Sequence, residues 1–302
     1  VPALEPSVVA SVDDLELVAR LIVEGLRTGQ HRSPFHGYSA EFSQHRPYRV
    51  GDDLKYLDWK LLARTDRLYS RQFHETTNLS AIIVLDASAS MGFPEGRLSK
   101  FRYAAITAAA LAYLIVDQGD AVGLMTMADN ALRFLPARSG RAHLRSLLSQ
   151  IERLTPAGIW QPARVIPRAA ELLKRRGLVL VISDFYDEED ATRRELRRAR
   201  TRGHDVALLQ VMSREEIAFP FKGDLEFEDL ESGAKRVVTA DAVAHDYRAS
   251  VGEFLTRCRD RARREGLDYA LLPTSDPPER ALRSYLLRRD TAHRGTGQGT
   301  GR

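Results

Sequence analysis

The sequence predicts an α/β protein: a doubly wound, mostly parallel sheet flanked by helices, preceded by an N-terminal helix-plus-loop extension. Three observations predict it. The run Ala81-Ile82-Ile83-Val84-Leu85 ends in Asp86, and Leu178-Val179-Leu180-Val181-Ile182 ends in Ser183-Asp184. Unbroken apolar runs of strand length mark strands covered on both faces, as in a parallel sheet packed between helices. Strand and helix patterns then alternate along residues 80–290, the mark of an α/β sheet. Finally, each acid falls at the carboxyl end of its strand, where open α/β sheets bind ligands.

The composition is that of a globular chain. At 302 residues, with 43% hydrophobic and 28% charged content, it is long enough to bury a large core. A single cysteine, Cys258, excludes an internal disulfide framework and fits a reducing compartment. Acids and prolines stand near the N-terminus where a signal peptide would carry a basic head and an apolar run. No apolar stretch reaches membrane-spanning length. A cytoplasmic location is therefore expected. The net charge of +4 is mild, and the arginine-dense runs at 193–202 and 257–264 fit helix ends, where cations favour the dipole. No nucleic-acid partner is expected.

Taken in order, residues 1–11 form a loose lead. Leu15, Val18, Leu21, Ile22 and Leu26 then recur at helical spacing over 12–27, with Asp13 and Asp14 at the start and Gly29 at the stop. Over 30–79 neither helical nor strand periodicity lasts. Turn formers, aromatics, carboxylates (Glu41, Asp52, Asp53, Asp58) and guanidiniums (Arg32, Arg46, Arg49, Arg64) alternate instead. A segment so poor in regular ladders needs side chains to satisfy its backbone, so an arginine–carboxylate network is expected, with a partner- or anion-binding surface as the alternative. His31, His36 and His45 lack metal-ligand spacing and are expected as loop hydrogen-bonders.

After Met91, Ser99 caps a helix to Asp117 along the stripe Phe101, Ala104, Ala105, Ala108, Leu111, Ala112 and Ile115. Strands are expected at 121–127 and 131–135 around an Asp129-Asn130 turn, then a helix at 141–153 with Leu144, Leu147, Leu148 and Ile151 inward. A loop over 155–162 leads into a helix to Arg176, followed by the 178–185 strand, a helix from Glu188, and a strand at 204–212. Residues 224–230 and 235–239 flank Glu231-Ser232-Gly233-Ala234 as a hairpin at the sheet edge. The 241–264 helix is expected to bury Ala244, Tyr247, Val251, Phe254, Leu255, Cys258 and Ala262. A strand at 267–272 and a helix at 279–289 close the domain. The 291–302 tail holds four glycines and no large apolar residue, so disorder is expected. The expected division is an extension over 1–79, a main domain over 80–290 and the tail.

Asp86, Ser88 and Ser90 place one carboxylate and two hydroxyls on one tight loop, all hard oxygen donors suited to Mg²⁺ or Mn²⁺. Asp184 brings a second carboxylate to the same side of a parallel sheet, and two acids converging there repel unless a cation or proton intervenes. The alternative is that these side chains only cap helices or close turns.

Asp-x-Ser-x-Ser after a buried strand resembles the opening of the metal-ion-dependent adhesion site of von Willebrand factor A domains, a Rossmann-like fold. A wider resemblance rests on Gly37 to Phe42, Arg46-x-Tyr48-x-x-Gly51-Asp52-Asp53, Leu57-Asp58-Trp59, Ala63-Arg64-Thr65 and the 86–91 stretch. Together these are similar to the bacterial family catalogued as domain of unknown function fifty-eight, whose members carry a von Willebrand factor A-like domain. The resemblance implies Mg²⁺ or Mn²⁺ held by Asp86, Ser88, Ser90 and Asp184. It also implies a MoxR-type AAA+ ATPase as partner in chaperone-like maturation of other proteins. In proteins of that type the loop here spanning 155–162 carries a threonine that completes the metal site; this chain has Ile159 or Trp160 there. The expected function is a non-enzymatic adaptor using a degenerate metal site. A metal-free scaffold working through the 29–80 segment is the alternative, with Arg32, Glu41, Arg46, Tyr48, Asp52, Asp53, Asp58, Trp59 and Arg64 as contact or network residues. A Mg²⁺-dependent phosphohydrolase stands third, since the chain has neither a Gly-x-x-x-x-Gly-Lys phosphate loop nor a Gly-x-Ser-x-Gly elbow.

Overall fold

The computed structural model describes residues 5–27, 40–49, 57–75, 79–94, 98–186 and 189–297. Its elements run α1 (Pro6–Ser11), α2 (Leu15–Arg27), β1 (Ala40–Pro47), α3 (Trp59–Thr65), β2 (Tyr69–Glu75), β3 (Ser80–Asp86), α4 (Lys100–Asp117), β4 (Ala121–Ala128), β5 (Ala131–Arg138), α5 (Arg141–Glu152) and α6 (Pro162–Leu172). They continue with β6 (Leu178–Ser183), α7 (Glu189–Thr201), β7 (Asp205–Met212), α8 (Arg214–Ala218), β8 (Asp224–Glu228), β9 (Lys235–Thr239), α9 (Ala240–Arg264), β10 (Asp268–Pro273) and α10 (Pro278–Gly297).

The chain divides into two compact units, one of residues Val1–Pro34 with Ser80–Arg302 and one of Phe35–Leu79. The larger unit is built on a six-stranded sheet ordered β10-β7-β6-β3-β4-β5. All neighbours pair in parallel except β5, which returns antiparallel on β4 through Asp129 and Asn130, both at positive φ. The order reverses between β3 and β6: the chain walks from β3 to one edge and from β6 to the other. That is a topological switch point, and a crevice opens there at the carboxyl ends of the two strands.

Both strands are apolar throughout because helices cover both faces. On one face lie α4, α5 and α10, with α2 packed over α4. On the other, α6, α7 and α9 cover a core that includes Ile82, Val84, Val165, Ile166, Val179, Val181, Leu196 and Val206. Helix α4 is buried almost all round, since it is held between the sheet and a second helical layer. Ser99 caps it by accepting the Arg102 amide.

Several expectations are corrected. The lead contains a helix, α1, which has a proline in its first turn. Helix α2 belongs to the larger unit rather than to a 1–79 extension, because Leu15, Val18, Ile22, Val23 and Leu26 bury an apolar face in that unit. The smaller unit has regular structure after all: β1 and β2 pair antiparallel, with a register shift between Phe42 and Gln44 that hides the period-two pattern. The β8–β9 hairpin forms its own two-stranded sheet instead of extending the main one. Helix α9 is mostly exposed, with Val251 and Ala262 inward but Tyr247, Phe254, Leu255 and Cys258 only half-buried. It lies at the outside of its layer, so one side of its stripe meets solvent. Helix α10 continues to Gly297, past the expected end at 289, and residues 298–302 lie outside those described.

Candidate functional site

The site lies where β3 and β6 end side by side. Leu85 pairs with Ile182, so Asp86 and Ser183 come level at the strand tips, and the Ser183 hydroxyl donates to Asp86 Oδ2 at 2.6 Å. The chain then turns: the Ser88 amide donates to Asp86 Oδ1 at 2.8 Å, and residues 89–92 form a single 3₁₀ turn. This brings the Ser88 and Ser90 hydroxyl oxygens to 3.2 Å from one another. The Ser90 hydroxyl donates to Asp184 Oδ2 at 3.0 Å. Asp184 is aimed by its neighbours, with Oδ1 accepting the Tyr186 amide and its carbonyl accepting Gln210 Nε2 at 2.8 Å. Asp86, Ser88 and Asp184 are buried; Ser90 is half-buried.

Burial, and then the Asp184 charge, push the Asp86 carboxyl up to about 7, against the lowering effect of its Ser183 and Ser88 hydrogen bonds. Asp184 has a different neighbour. Lys100, 1% exposed, donates from Nζ to Asp184 Oδ2 at 2.7 Å and to Glu216 Oε1 at 2.6 Å. Burial alone would lower the lysine, yet the Asp184 and Glu216 carboxylates outweigh it and hold the ammonium above its ordinary range. Glu216 is fixed in turn by a reciprocal cap with Ser213 at the start of α8. A protein cation therefore already compensates one of the two acids.

Sequence reasoning brought Asp86, Ser88, Ser90 and Asp184 forward, and the structure places them together. It missed Ser183, Lys100 and Glu216. Lys100 had a signal. It stands directly after the Ser99 N-cap, at the positive end of the helix dipole, where a cation is disfavoured unless an acid meets it.

The donor set fits a hard divalent ion in kind. Asp86 and the two serines offer oxygen donors, and the raised Asp86 carboxyl marks an acid short of compensating positive charge. Two features weaken the fit. Asp184 Oδ2 is shared with Lys100. The 155–160 loop is bound to the site by Ala89 N–H to the Gly158 carbonyl and Ala157 N–H to the Ala87 carbonyl, both 2.9 Å. Yet it brings no side-chain oxygen at Ile159, which is exposed, or at Trp160, which is buried with its indole N–H unpaired. Thr155 is exposed.

The other candidate residues lie in the smaller unit or outside the described residues, as Arg32, Asp52 and Asp53 do. Glu41 pairs with His74 and Arg46 with Ser70 across β1 and β2. The Tyr48 amide donates to the Leu68 carbonyl. Asp58 caps α3 by accepting the Leu61 amide at 3.0 Å. Trp59 is 62% exposed, and Arg64 stands exposed in the last turn of α3.

A doubly wound sheet with an Asp-x-Ser-x-Ser turn at its switch point makes the larger unit a von Willebrand factor A-like α/β domain. The chain belongs to the family described as Protein of unknown function DUF58, whose model matches residues 44–254. It is 30% identical over 265 residues to uncharacterized protein Rv1480 of Mycobacterium tuberculosis, covering 84% of this chain and 83% of that one. Uncharacterized protein Mb1516 of Mycobacterium bovis matches to the same extent. Among solved structures, the conserved hypothetical protein BatB from Bacteroides thetaiotaomicron is 20% identical with a TM-score of 0.46, covering 70% of this chain and 99% of that one. The SpRpn10 VWA domain is 14% identical with a TM-score of 0.43, covering 68% and 93%.

Proposed function

We propose that the protein is a non-enzymatic interaction module, an adaptor that engages a MoxR-type AAA+ ATPase in chaperone-like protein maturation through the carboxyl edge of its sheet. The observation that carries this is the convergence of Asp86, Ser88, Ser90 and Asp184 at the switch point between β3 and β6. Asp86, Ser88 and Ser90 would hold Mg²⁺ or Mn²⁺, with Asp184 reached directly or through water. Bound there, the ion would supply an open coordination position for an acidic side chain of the partner. The protein's own part is positional: Ser183 and the Ser88 amide orient Asp86, while Gln210 and Tyr186 orient Asp184.

The first test is a calorimetric titration of Mg²⁺ and Mn²⁺ into wild type and Asp86→Ala. Saturable binding that the substitution removes is expected, and with it loss of the ATPase in a pull-down by a correctly folded variant. Absence of binding at millimolar ion sinks the metal mechanism. A second reading draws support from the shared Asp184 and from the lack of a side-chain oxygen at Ile159 and Trp160: a metal-free scaffold whose contact surface is the 29–80 segment. In that case Asp86→Ala leaves the pull-down intact, while Arg46→Ala or Asp52→Ala abolishes it. For either adaptor, wild type shows no Mg²⁺-dependent hydrolysis of p-nitrophenyl phosphate; turnover would instead favour a phosphohydrolase.

A further inference from the structure

Lys100 stands in the first turn of α4, at the positive end of the helix dipole, with its side chain 1% exposed. A cation so placed needs a carboxylate, and Glu216 supplies one already aimed at it. Glu216 Oε2 accepts the Ser213 amide at 2.8 Å, while Oε1 accepts Lys100 Nζ at 2.6 Å. The Tyr186 ring, stacked on Phe254, lies 5.1 Å from Nζ and adds a cation–π contact. A lysine that only tied α4 to α8 would need nothing more.

Yet Lys100 makes a second bond. Nζ also donates to Asp184 Oδ2 at 2.7 Å, and that is the same oxygen the Ser90 hydroxyl reaches at 3.0 Å. A carboxylate oxygen has two lone pairs, so on Oδ2 Lys100 and Ser90 use both. Oδ1 accepts the Tyr186 amide instead, at 3.3 Å. The oxygen that Asp184 turns toward the serines is therefore already held by a protein cation. Charge alone leaves room for a divalent ion, since Asp86, Asp184 and Glu216, when ionised, face the single ammonium of Lys100. What is missing is a vacant lone pair. An ion, or a water of its shell, gains Oδ2 only if one donor gives it up, and Ser90 is itself among the oxygens the ion would use. Repulsion between ammonium and ion makes Lys100 the donor that leaves.

We infer that Lys100 is the resident cation of the switch-point site and gates its ion: Asp184 is either held by Lys100 or serves the ion, and Glu216 retains the lysine in the second case. The inference rests on reading Asp86, Ser88, Ser90 and Asp184 as a divalent-ion site. It adds what sets the occupancy of that site. Ion binding is an exchange against a protein ammonium, which couples it to the contact between α4 and α8.

The test titrates Mg²⁺ and Mn²⁺ by calorimetry into the full chain, Lys100→Met, Glu216→Gln and the double variant, with folding checked by circular dichroism. Methionine keeps an unbranched stem and drops the charge. Lys100→Met should bind the ion about tenfold or more tightly than wild type. Glu216→Gln should weaken binding about fivefold, because Lys100 is then left with Asp184 alone. In the double variant the Glu216 effect should vanish, which separates a carboxylate acting through the lysine from one that attracts the ion directly. If Lys100→Met fails to fold with two acids uncompensated, Glu216→Gln against the double variant reads the same gate with one acid fewer. Unchanged or weaker binding on removal of the lysine in both backgrounds overturns the inference, as does a Glu216 effect of full size without Lys100. The outcomes also separate the gate from the ion site. Ion binding that Asp86→Ala removes and Lys100→Met leaves unchanged keeps the site and removes the gate. Binding that appears only once Lys100 is replaced supports the gate and removes the ion from the unaltered chain. No binding to any of these proteins at millimolar ion removes both.

Discussion

At Asp86 two hydrogen bonds favour the carboxylate, from the Ser183 hydroxyl and the Ser88 amide, while burial and the Asp184 charge oppose it more strongly. The sign of the pH dependence follows. With its folded carboxyl raised from 3.8 to about 7, Asp86 binds a proton in the folded state over a range where the unfolded chain has released it. Its contribution to stability is therefore full below pH about 4 and is lost as pH rises through about 7. In chelator, Asp86→Asn should leave the melting temperature little changed near pH 4 and raise it relative to wild type near pH 8. Equal wild-type and variant melting temperatures at both pH values would show that Asp86 is ionised without strain. Lys100 shows the complementary case. Its ammonium sits with two carboxylates in a buried cluster, so removing any one member would leave the others short of compensation. Sequence alone gave both aspartates and both serines, because strand ends and residue types are local. It did not give Lys100 or Glu216 as their neighbours, since they lie on other elements distant in the chain.

The elements around the site hold one another through backbone contacts that leave little room for side chains. Gly158, at φ +77°, accepts the Ala89 amide with its carbonyl, and a Cβ placed on it would come 2.8 Å from the Asn130 amide nitrogen and 3.0 Å from Asp129 Cα. Gly158→Ala should therefore destabilise the protein by about 1–3 kcal/mol, from positive φ and from backbone that cannot yield. Urea denaturation measures the loss, and a variant as stable as wild type would mean that the 129–130 turn moves freely away. The strands of the main sheet were legible because covering helices make them uniformly apolar. The β1–β2 pair was not, because its strands alternate poorly and a register shift breaks the period. Helix α9 was recognised as a helix and misjudged in depth. Periodicity reports which side faces inward, and only neighbouring layers decide how much of that side is covered.

On the scale of the whole molecule, the assignment of α2 has a measurable consequence. Ile22 is buried in the unit that contains the sheet, although the 35–79 unit separates it from the sheet in sequence. Ile22→Ala should cost about 2–5 kcal/mol, the range for emptying a packed site. Hydrogen exchange should show the loss spreading to α4, against which α2 packs; a loss confined to residues 15–27 would mean that α2 folds as an independent appendage. Among the described residues no helix is long and apolar enough to cross a membrane. The sequence by itself determined the α/β class, the buried strands, the starts of the long helices and the oxygen-bearing side chains that end β3 and β6. Those features depend on residues close along the chain, where hydrophobic period and capping chemistry act. Tertiary structure alone decided that Lys100 compensates Asp184 and that α2 joins the sheet's unit. The reason is that charge pairing and burial depend on distance in space, and the strand order bringing 86, 100, 184 and 216 to one edge is set by packing the whole sheet between its helices.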